Sequence, residues 1–386
     1  AYDEHGRLVC ATNAVGESER YRYDDQHVIL ERQLAGGASF FWEWERAGKA
    51  ARCVRHWASF SQMDTCYAWG DDGRVTVHNA DGSQEVYVHD QRARLVQRID
   101  PDGATHFKSY DAKGRLTVEQ DPMGAVTAYQ YDDLGRQIAR EDEHGAQTQY
   151  QWDAVGRLLK LIEPGGGCRE FSYNPYGKII AERDELGHVT RYEYADGLHL
   201  ISRCFNANGT QVKYRYDNAR LLLTEIENEA GETYQLDYQP NGLIRQETGF
   251  DGQRTAYAYD LNGNLLEKTE YGDDDSQLIT RYQRDHAGRL VRKTLPDASV
   301  VDYTYDRQGN LLSAEDGHWA LAYEYDRQNR LTAEHQGWGT LRYGYDACGQ
   351  LKTLCLPDNN RLTFNHDKGG HLATVELNGE VLTSHL

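Results

Sequence analysis

Residues 110–136 read YDAKGRLTVEQDPMGAVTAYQYDDLGR, and this stretch contains one complete structural unit. Two runs rich in β-forming residues, 115–120 and 125–131, are separated by the turn sequence DPMG at 121–124. A second turn sequence, DDLG, follows at 132–135. The stretch therefore predicts an antiparallel hairpin of two strands, each of about six to eight residues, and a turn that leads to the next hairpin.

The unit is repeated along the whole chain. Its signature is aromatic-Asp-x-x-Gly-Arg-apolar, and 18 copies begin at positions 2, 23, 44, 69, 89, 110, 131, 152, 173, 194, 216, 238, 259, 284, 305, 325, 345 and 366. Ten of the 17 steps are 21 residues long; 13 copies have Asp at the second position, and 13 copies, not all of them the same, have Gly at the fifth. Such a fixed period predicts an all-β tandem array of 36 strands, a single domain over residues 1–386.

The conserved spacing of the signature has a physical explanation. Gly135 and its equivalents are expected to take positive φ, where a Cβ atom would be strained. Asp132 can accept hydrogen bonds from backbone amides in its own turn. Asn329 replaces the glycine in one copy, and Asn is the next most tolerant residue in that conformation.

These repeat positions are the candidate functional residues, and their predicted role is structural. No catalytic, cofactor-binding or metal-binding residue is predicted. The representative positions are Tyr110, Asp111, Gly114, Arg115, Tyr131, Asp132, Gly135, Arg136, Trp152, Asp153, Gly156, Arg157, Tyr259, Asp260, Gly263, Tyr305, Asp306, Gly309, Tyr345, Asp346 and Gly349.

The aromatic residues come in pairs two positions apart, so both members of a pair face the same side of a strand. Tyr129 and Tyr131 form one pair, and Tyr150 and Trp152 form the next. Stacked units are expected to align them in two aromatic ladders, with the intervening polar residues facing water. A chain with 27 Tyr but only 8 Phe suits a thin sheet that is exposed to solvent on both faces, because Tyr has an apolar ring and a polar hydroxyl.

Two steps of 25 residues carry insertions, which we place in hairpin loops at 56–60 and 271–276. A ribbon of 36 strands cannot stay flat, because strands twist. Wrapped as one circle, it would have a diameter of about 55 Å and an opening of about 35 Å. A folded domain of about 100 residues, about 34 Å across, would fit that space.

Charge and residue usage exclude several classes of protein. The net charge of −19 disfavours nucleic acids and anionic membranes, and no window approaches 18 apolar residues. Seven cysteines without a CxxC motif indicate free thiols.

Several isolated motifs resemble binding or catalytic sites but are interpreted as ordinary structural or solvent-exposed segments. Repeated Asp–Arg pairs are structural more often than catalytic. The acidic run at 273–275 lacks the spaced ligands of a calcium loop, and the 15 His show no zinc spacing. The triple glycine at 165–167 lacks the Lys-Ser/Thr of a phosphate loop. The sequence NGT at 208–210 is a glycosylation acceptor in a eukaryotic secretory setting alone.

The Tyr-Asp-x-x-Gly-Arg-Leu units resemble the YD repeats of Rhs proteins, which are related to insecticidal toxin complexes and teneurins. This resemblance implies a β-strand spiral that walls a hollow, cocoon-like shell around a C-terminal toxin released by autocleavage. The DPxG sequences at 100–103 and 121–124 are similar to the family's cleavage motif, but they lie inside hairpin turns and lack its following Leu. They are therefore interpreted as turns.

The resemblance also implies partners that lie outside this sequence. We expect a fragment of a larger shell, whose strand at 381–386 pairs with an absent segment, and whose spike-binding N-terminal region and toxin are missing. The predicted function is encapsulation of the toxin in an effector that is made in the bacterial cytoplasm and delivered by type VI secretion in interbacterial competition. The expected partners are the chain's own N- and C-terminal segments, a secretion spike and a chaperone, without cofactors or nucleic acid. The alternative is an extracellular adhesion or carbohydrate-binding array, with exposed aromatic rings as sugar platforms.

Overall fold

A computed structural model describes residues 1–47, 50–60, 63–195, 197, 199–217 and 219–385. Their regular structure is a series of 36 β-strands, which confirms the predicted all-β class. No helix in this part of the chain is long and apolar enough to cross a membrane. The strands are β1 (Cys10–Thr12), β2 (Ser18–Tyr23), β3 (Ile29–Gln33), β4 (Ser39–Ala47), β5 (Ala50–Ala58), β6 (Asp64–Trp69), β7 (Arg74–His78), β8 (Gln84–His89), β9 (Leu95–Ile99), β10 (Thr105–Tyr110), β11 (Leu116–Gln120), β12 (Val126–Tyr131), β13 (Gln137–Glu141), β14 (Gln147–Trp152), β15 (Leu158–Ile162), β16 (Cys168–Tyr173), β17 (Ile179–Arg183), β18 (Val189–Tyr194), β19 (Ile201–Phe205), β20 (Gln211–Tyr216), β21 (Leu223–Glu227), β22 (Thr233–Tyr238), β23 (Ile244–Thr248), β24 (Arg254–Tyr259), β25 (Leu265–Tyr271), β26 (Gln277–Arg284), β27 (Leu290–Thr294), β28 (Val300–Tyr305), β29 (Leu311–Glu315), β30 (Ala320–Tyr325), β31 (Leu331–Gln336), β32 (Gly339–Tyr345), β33 (Leu351–Cys355), β34 (Arg361–His366), β35 (Leu372–Leu377) and β36 (Glu380–Ser384).

Each strand pairs antiparallel with the strand before it, so chain order is also the order in the sheet. Most units contain a six-residue strand and a five-residue strand, slightly shorter than predicted. A β-bulge accounts for part of the difference. Gln130 pairs with Ala139 and Tyr131 with Gln137, so Ile138 has no partner of its own. Almost every signature aromatic has such a bulge beside it, and bulges increase the local bend and twist of a sheet.

The predicted placement of the two insertions is wrong. Residues 56–58 belong to β5, and the added length extends the β4–β5 hairpin, whose strands have nine residues each. The second insertion lengthens β25 and β26 to seven and eight residues, while the turn at 272–276 keeps the usual five. In both cases continued backbone pairing takes up the extra residues, which satisfies their polar groups better than a long loop would.

The sheet is a single layer with little interior. The buried apolar side chains of the described residues are Ala38, Ala58, Val75, Ala139 and Ala333, and no large side chain among them is fully buried. The polar residues between paired aromatics, such as Gln130 and Gln151, are exposed as predicted. Stability must therefore come from contacts between neighbouring strands rather than from a thick core.

The turns form the two edges of this ribbon. We call the edge with turns such as 132–135 the signature edge and the edge with turns such as 121–124 the opposite edge. The backbone amide of Gly36, on the opposite edge between β3 and β4, donates to Asn262 Oδ1 at 2.8 Å, on the signature edge between β24 and β25. The two turns are 21 strands apart.

Two ion pairs repeat the same offset. Arg330 lies 3.2 Å from Asp102, joining the β30–β31 turn to the β9–β10 turn. Lys368 lies 2.7 Å from Glu143, joining the β34–β35 turn to the β13–β14 turn. The sheet is therefore a spiral with 21 strands per revolution, and we call the line where successive revolutions meet the seam.

The seam corrects the predicted size of the enclosure. A revolution of 21 strands has a circumference of about 100 Å, so facing backbones are about 32 Å apart if the strands run along the axis. A strand tilt typical of closed sheets widens this distance to about 42 Å. The circle of about 55 Å assumed one revolution of 36 strands. With the same allowance of about 20 Å for side chains, about 12–22 Å remains open, which is narrower than a compact 100-residue domain.

Three remaining predictions concern the last strand, the glycine of the third copy and the cysteine thiols. The final strand, β36, covers Glu380–Ser384, and Leu386 lies outside the described residues. Gly48, the fifth position of the third copy, also lies outside them. The seven cysteine thiols are free.

Candidate functional site: the clamp between neighbouring units

The signature turn is held by its aspartate. The Oδ1 atom of Asp132 accepts hydrogen bonds from the backbone amides of Leu134 at 3.0 Å and Arg136 at 2.9 Å. Gly135 has a φ of 84°, and Asn329 has a φ of 62° in the copy that lacks glycine. Both predictions about this turn are confirmed.

The signature arginine connects its own turn to the turn of the next unit. The Nε atom of Arg136 donates to Asp132 Oδ2 at 2.7 Å, and its Nη1 atom donates to the carbonyl oxygen of Asp153 at 2.6 Å. The same bridge recurs at Arg7, Arg94, Arg115, Arg157, Arg289 and Arg330. The rigid fork of donors on a guanidinium allows one side chain to serve both turns.

The signature aromatic makes a second connection in the opposite direction along the chain. The hydroxyl of Tyr131 donates to the carbonyl oxygen of Leu116 at 2.7 Å, and the indole Nε1 of Trp152 donates to the carbonyl oxygen of Gln137 at 2.8 Å. Leu116 lies beside the bulge of the preceding unit. Tyr and Trp carry a donor at the tip of the ring and Phe does not, which explains the excess of Tyr.

Two copies with a different residue at the aromatic position keep this donor. Arg284 Nε donates to the carbonyl oxygen of Leu265 at 3.1 Å, and His89 Nδ1 lies 3.1 Å from the carbonyl oxygen of Gly73. In these two copies, too, the side chain at this position reaches a backbone carbonyl of the previous unit.

The predicted aromatic ladders differ from the observed arrangement. The Arg115 guanidinium lies over the Tyr131 ring at 5.0 Å, and Arg157 lies over Tyr173 at 5.1 Å. Among the described residues, consecutive signature tyrosines form no ring pair. Cations and rings alternate because a guanidinium is attracted to the face of an aromatic ring.

In several copies the other aromatic of the pair bonds to a carboxylate. The Tyr129 hydroxyl donates to Glu119 Oε2 at 2.6 Å, and burial together with this carboxylate raises the pKa of Tyr129. Burial and the nearby Glu85 raise the pKa of Tyr87 to about 12. The hydroxyl groups of these tyrosines are thus bonded to the protein, like those of the signature tyrosines.

In the last three representative copies the predicted residues lie in the same arrangement, but Asn or Gln replaces the arginine after the glycine. Asn264 replaces the arginine after Gly263 and donates to Asp260 at 3.0 Å, and Asn310 does the same with Asp306 at 2.9 Å. Gln350 follows Gly349 and restores the link to the next unit by donating to the Gly370 carbonyl oxygen at 2.8 Å.

We call the signature aromatic, Asp, Gly and Arg of each copy the clamp. The clamp residues of the described copies follow one another along one edge and are not gathered at a single centre. The backbone amide and guanidinium of Arg136 hold the pKa of Asp132 below its usual value. A carboxylate in that state remains ionised and paired at neutral pH, so it is poorly suited to donate or accept protons. This geometry stabilises a repeat rather than supporting a reaction.

The other candidate motifs are accounted for by local bonds. The turns at 100–103 and 121–124 close with backbone hydrogen bonds of 2.8 and 3.0 Å, as predicted. In the acidic run, Asp274 accepts a bond from the Ser276 amide at 3.0 Å and Asp275 pairs with Arg254.

Sequence reasoning missed one cluster, formed by His144, Asp367 and His371 at the seam. The ligand atoms of these three exposed residues lie within 4.8 Å of one another. No spacing along the chain could indicate the cluster, because 223 positions separate His144 from Asp367. The one signal in the sequence was His371 at a position where the signature has arginine.

Comparison with known proteins places the clamp in a recognised repeat. The RHS Repeat family model matches residues 110–140 and 131–167, and the Teneurin YD-shell model matches residues 269–380. The predicted resemblance is thereby confirmed. A curated relative from Dickeya dadantii (strain 3937), named probable deoxyribonuclease RhsB, is 30% identical over 128 residues, which is 33% of this chain and 8% of that protein.

Solved structures with the same fold are toxin-complex components. A crystal structure of TcdB2-TccC3 without its hypervariable C-terminal region has a TM-score of 0.60 and 15% identity. It is matched over 99% of this chain and 25% of its own. A Tc holotoxin pore of Photorhabdus luminescens has a TM-score of 0.61 and 14% identity, over 97% and 25%. The chain thus spans about a quarter of these structures and a smaller part of the curated relative.

Proposed function

Because the chain is a YD-repeat protein of the Rhs type, we propose that it forms part of the wall of a hollow shell around the C-terminal toxin of a longer protein. The observation that carries this proposal is the seam, where turns 21 strands apart meet through Arg330–Asp102 and Lys368–Glu143. A ribbon whose edges meet in this way separates an inner space from an outer one. Within one revolution, that space suits an extended segment better than a compact domain.

The state of the aromatic residues supports a wall over the adhesion alternative. A ring that binds sugars needs an open face and a free tip. The Tyr131 ring has the Arg115 guanidinium over it and its hydroxyl bonded to a backbone carbonyl. The repeated aromatics therefore contribute to cohesion between units.

The finer parts of the proposal concern the longer protein. We take residues 1–386 as one repeat array of a larger effector, with a spike-binding region and a toxin in other segments. Production in the bacterial cytoplasm, help from a chaperone and delivery by type VI secretion into competing cells belong to the same proposal. The relative named as a probable deoxyribonuclease and the neighbour with a hypervariable C-terminal region both support a variable, active segment outside the repeats.

The test uses the longer parent protein expressed in bacteria. We expect a cleaved C-terminal fragment to co-purify with the repeat region and to resist added protease until the shell is denatured. The charge reversal Asp102→Lys places two cations together at the seam, so it should expose the fragment to protease. The matched control is Asp297→Lys, since Asp297 occupies the same place in another Pro-containing turn and bonds to Ser299 within that turn.

A fragment that diffuses away from the intact repeat region, or that is digested as fast as when free, contradicts encapsulation. Equal protection in both lysine variants would show that the seam does not close the wall.

A further inference from the structure

Three side chains that could bind a metal ion meet across the seam. His144 lies in the opposite-edge turn between β13 and β14, and Asp367 and His371 belong to the signature-edge turn between β34 and β35. The Nε2 atom of His144 is 3.2 Å from Asp367 Oδ2, and the Nδ1 atom of His371 is 3.5 Å from the same oxygen. The two imidazole rings are 5.0 Å apart at an interplanar angle of 29°.

This place departs from the repeat pattern in ways that favour the cluster. His371 occupies the position of the clamp arginine, so Asp367 faces an imidazole instead of a guanidinium. Gly369 stands where other copies have a side chain such as Leu134. A Cβ atom at Gly369 would lie 2.2 Å from the His144 Nε2 atom, so only glycine lets that ring approach the turn. Both changes occur opposite a histidine from the other revolution.

We propose that His144, Asp367 and His371 bind a divalent cation of the zinc class, which joins successive revolutions of the spiral. Zinc prefers imidazole nitrogen and carboxylate oxygen ligands at about 2.0–2.2 Å in a tetrahedral arrangement. Ligand atoms at those distances are about 3.3 Å apart, close to the two separations between the imidazole nitrogens and the carboxylate oxygen. Three protein ligands leave the fourth position to solvent.

The cation would act as a cross-link between revolutions. The neighbouring Lys368–Glu143 pair at 2.7 Å spans the same two turns, so the backbones are already held close together. A metal ligated from both sides adds its binding free energy to the closed form of the seam and not to an opened one. The cation site depends on these contacts alone and does not require that the shell encloses a toxin.

Calorimetric titration of zinc into the chelator-treated protein tests the site directly. We expect one zinc ion per chain, with affinity reduced more than about 100-fold by His144→Ala or His371→Ala, since loss of an outer partner alone costs 10–100-fold. His188→Ala is the matched control because His188 also pairs with an aspartate, at 2.9 Å, within a single turn. It should bind zinc as the wild type does.

A second measurement separates a seam cation from adventitious binding. Zinc should raise the melting temperature of the wild type and of His188→Ala, but not that of the double variant His144→Ala/His371→Ala. Zinc binding that persists in the double variant would assign the ion to the free cysteines and overturn the proposal. If the alanine variants misfold, cobalt is added to the wild-type protein and its visible absorption is recorded. A spectrum without the bands of tetrahedral nitrogen and oxygen coordination would show that the site does not exist.

Discussion

The hydroxyl groups of the signature tyrosines provide a direct test of how units are held together. Tyr110, Tyr131, Tyr173 and Tyr194 each donate to a carbonyl of the preceding unit, at 2.8, 2.7, 2.6 and 2.6 Å. Replacing all four by Phe keeps the rings and removes four hydrogen bonds. Each loss should cost about 1 kcal/mol, because the carbonyl is left without its partner.

The expected shift in melting temperature follows from the length of the chain. An unfolding entropy of about 2.1 cal/mol/K per residue gives about 0.8 kcal/mol/K for 386 residues. A loss of about 4 kcal/mol should therefore lower the melting temperature by about 5 °C, if the four sites contribute independently.

Differential scanning calorimetry at neutral pH measures this shift, and Tyr176→Phe is the control because its side chain is 74% exposed. That single change should leave the melting temperature within about 1 °C of the wild type. A fourfold variant that melts together with the control would refute the idea that the hydroxyls connect the units.

Three further outcomes are expected. Gly135→Val forces a β-branched residue to a φ of 84°, so it should lower the free energy of unfolding measured in urea by about 1–2 kcal/mol. Gln151→Ala, at an exposed position, should change that free energy little, and equal effects would contradict the turn assignment. Hydrogen bonds from Arg94 lower the pKa of Asp90 from 3.8 to about 2. The ionised Asp90 therefore stabilises the folded protein fully above about pH 4, and this stabilisation is lost as the pH falls towards 2. Melting temperatures across that range should fall more steeply for the wild type than for Asp90→Asn. Asp102→Lys should speed amide hydrogen exchange around Arg330, and unchanged exchange would count against the seam.

Local features could be read from the sequence because their causes are local. Asp132 and Gly135 lie within one turn, so residue type and spacing were sufficient to predict the carboxylate bonds and the positive φ. The alternation of polar and aromatic residues likewise predicted which side chains face water. The bulge at Ile138 was missed, because no residue type marks it when the pairing partner is unknown.

The partners of the clamp could not be predicted in the same way. The bond from Tyr131 to Leu116 spans 15 positions, and its acceptor is a backbone carbonyl that carries no signature in the sequence. The prediction of stacked tyrosines failed for a related reason, since the period did not show that Arg115 would come between neighbouring rings.

By itself, the sequence determined that this protein is a repeated antiparallel sheet with wet faces, because strand, turn and alternation depend on neighbouring residues. The tertiary structure decided how tightly that sheet coils, because curvature accumulates from small bends at each bulge and a small difference per strand changes the revolution from 36 strands to 21. Only that coiling brings Asp102 to Arg330 and His144 to Asp367, so both the seam and the candidate metal site exist through the fold alone.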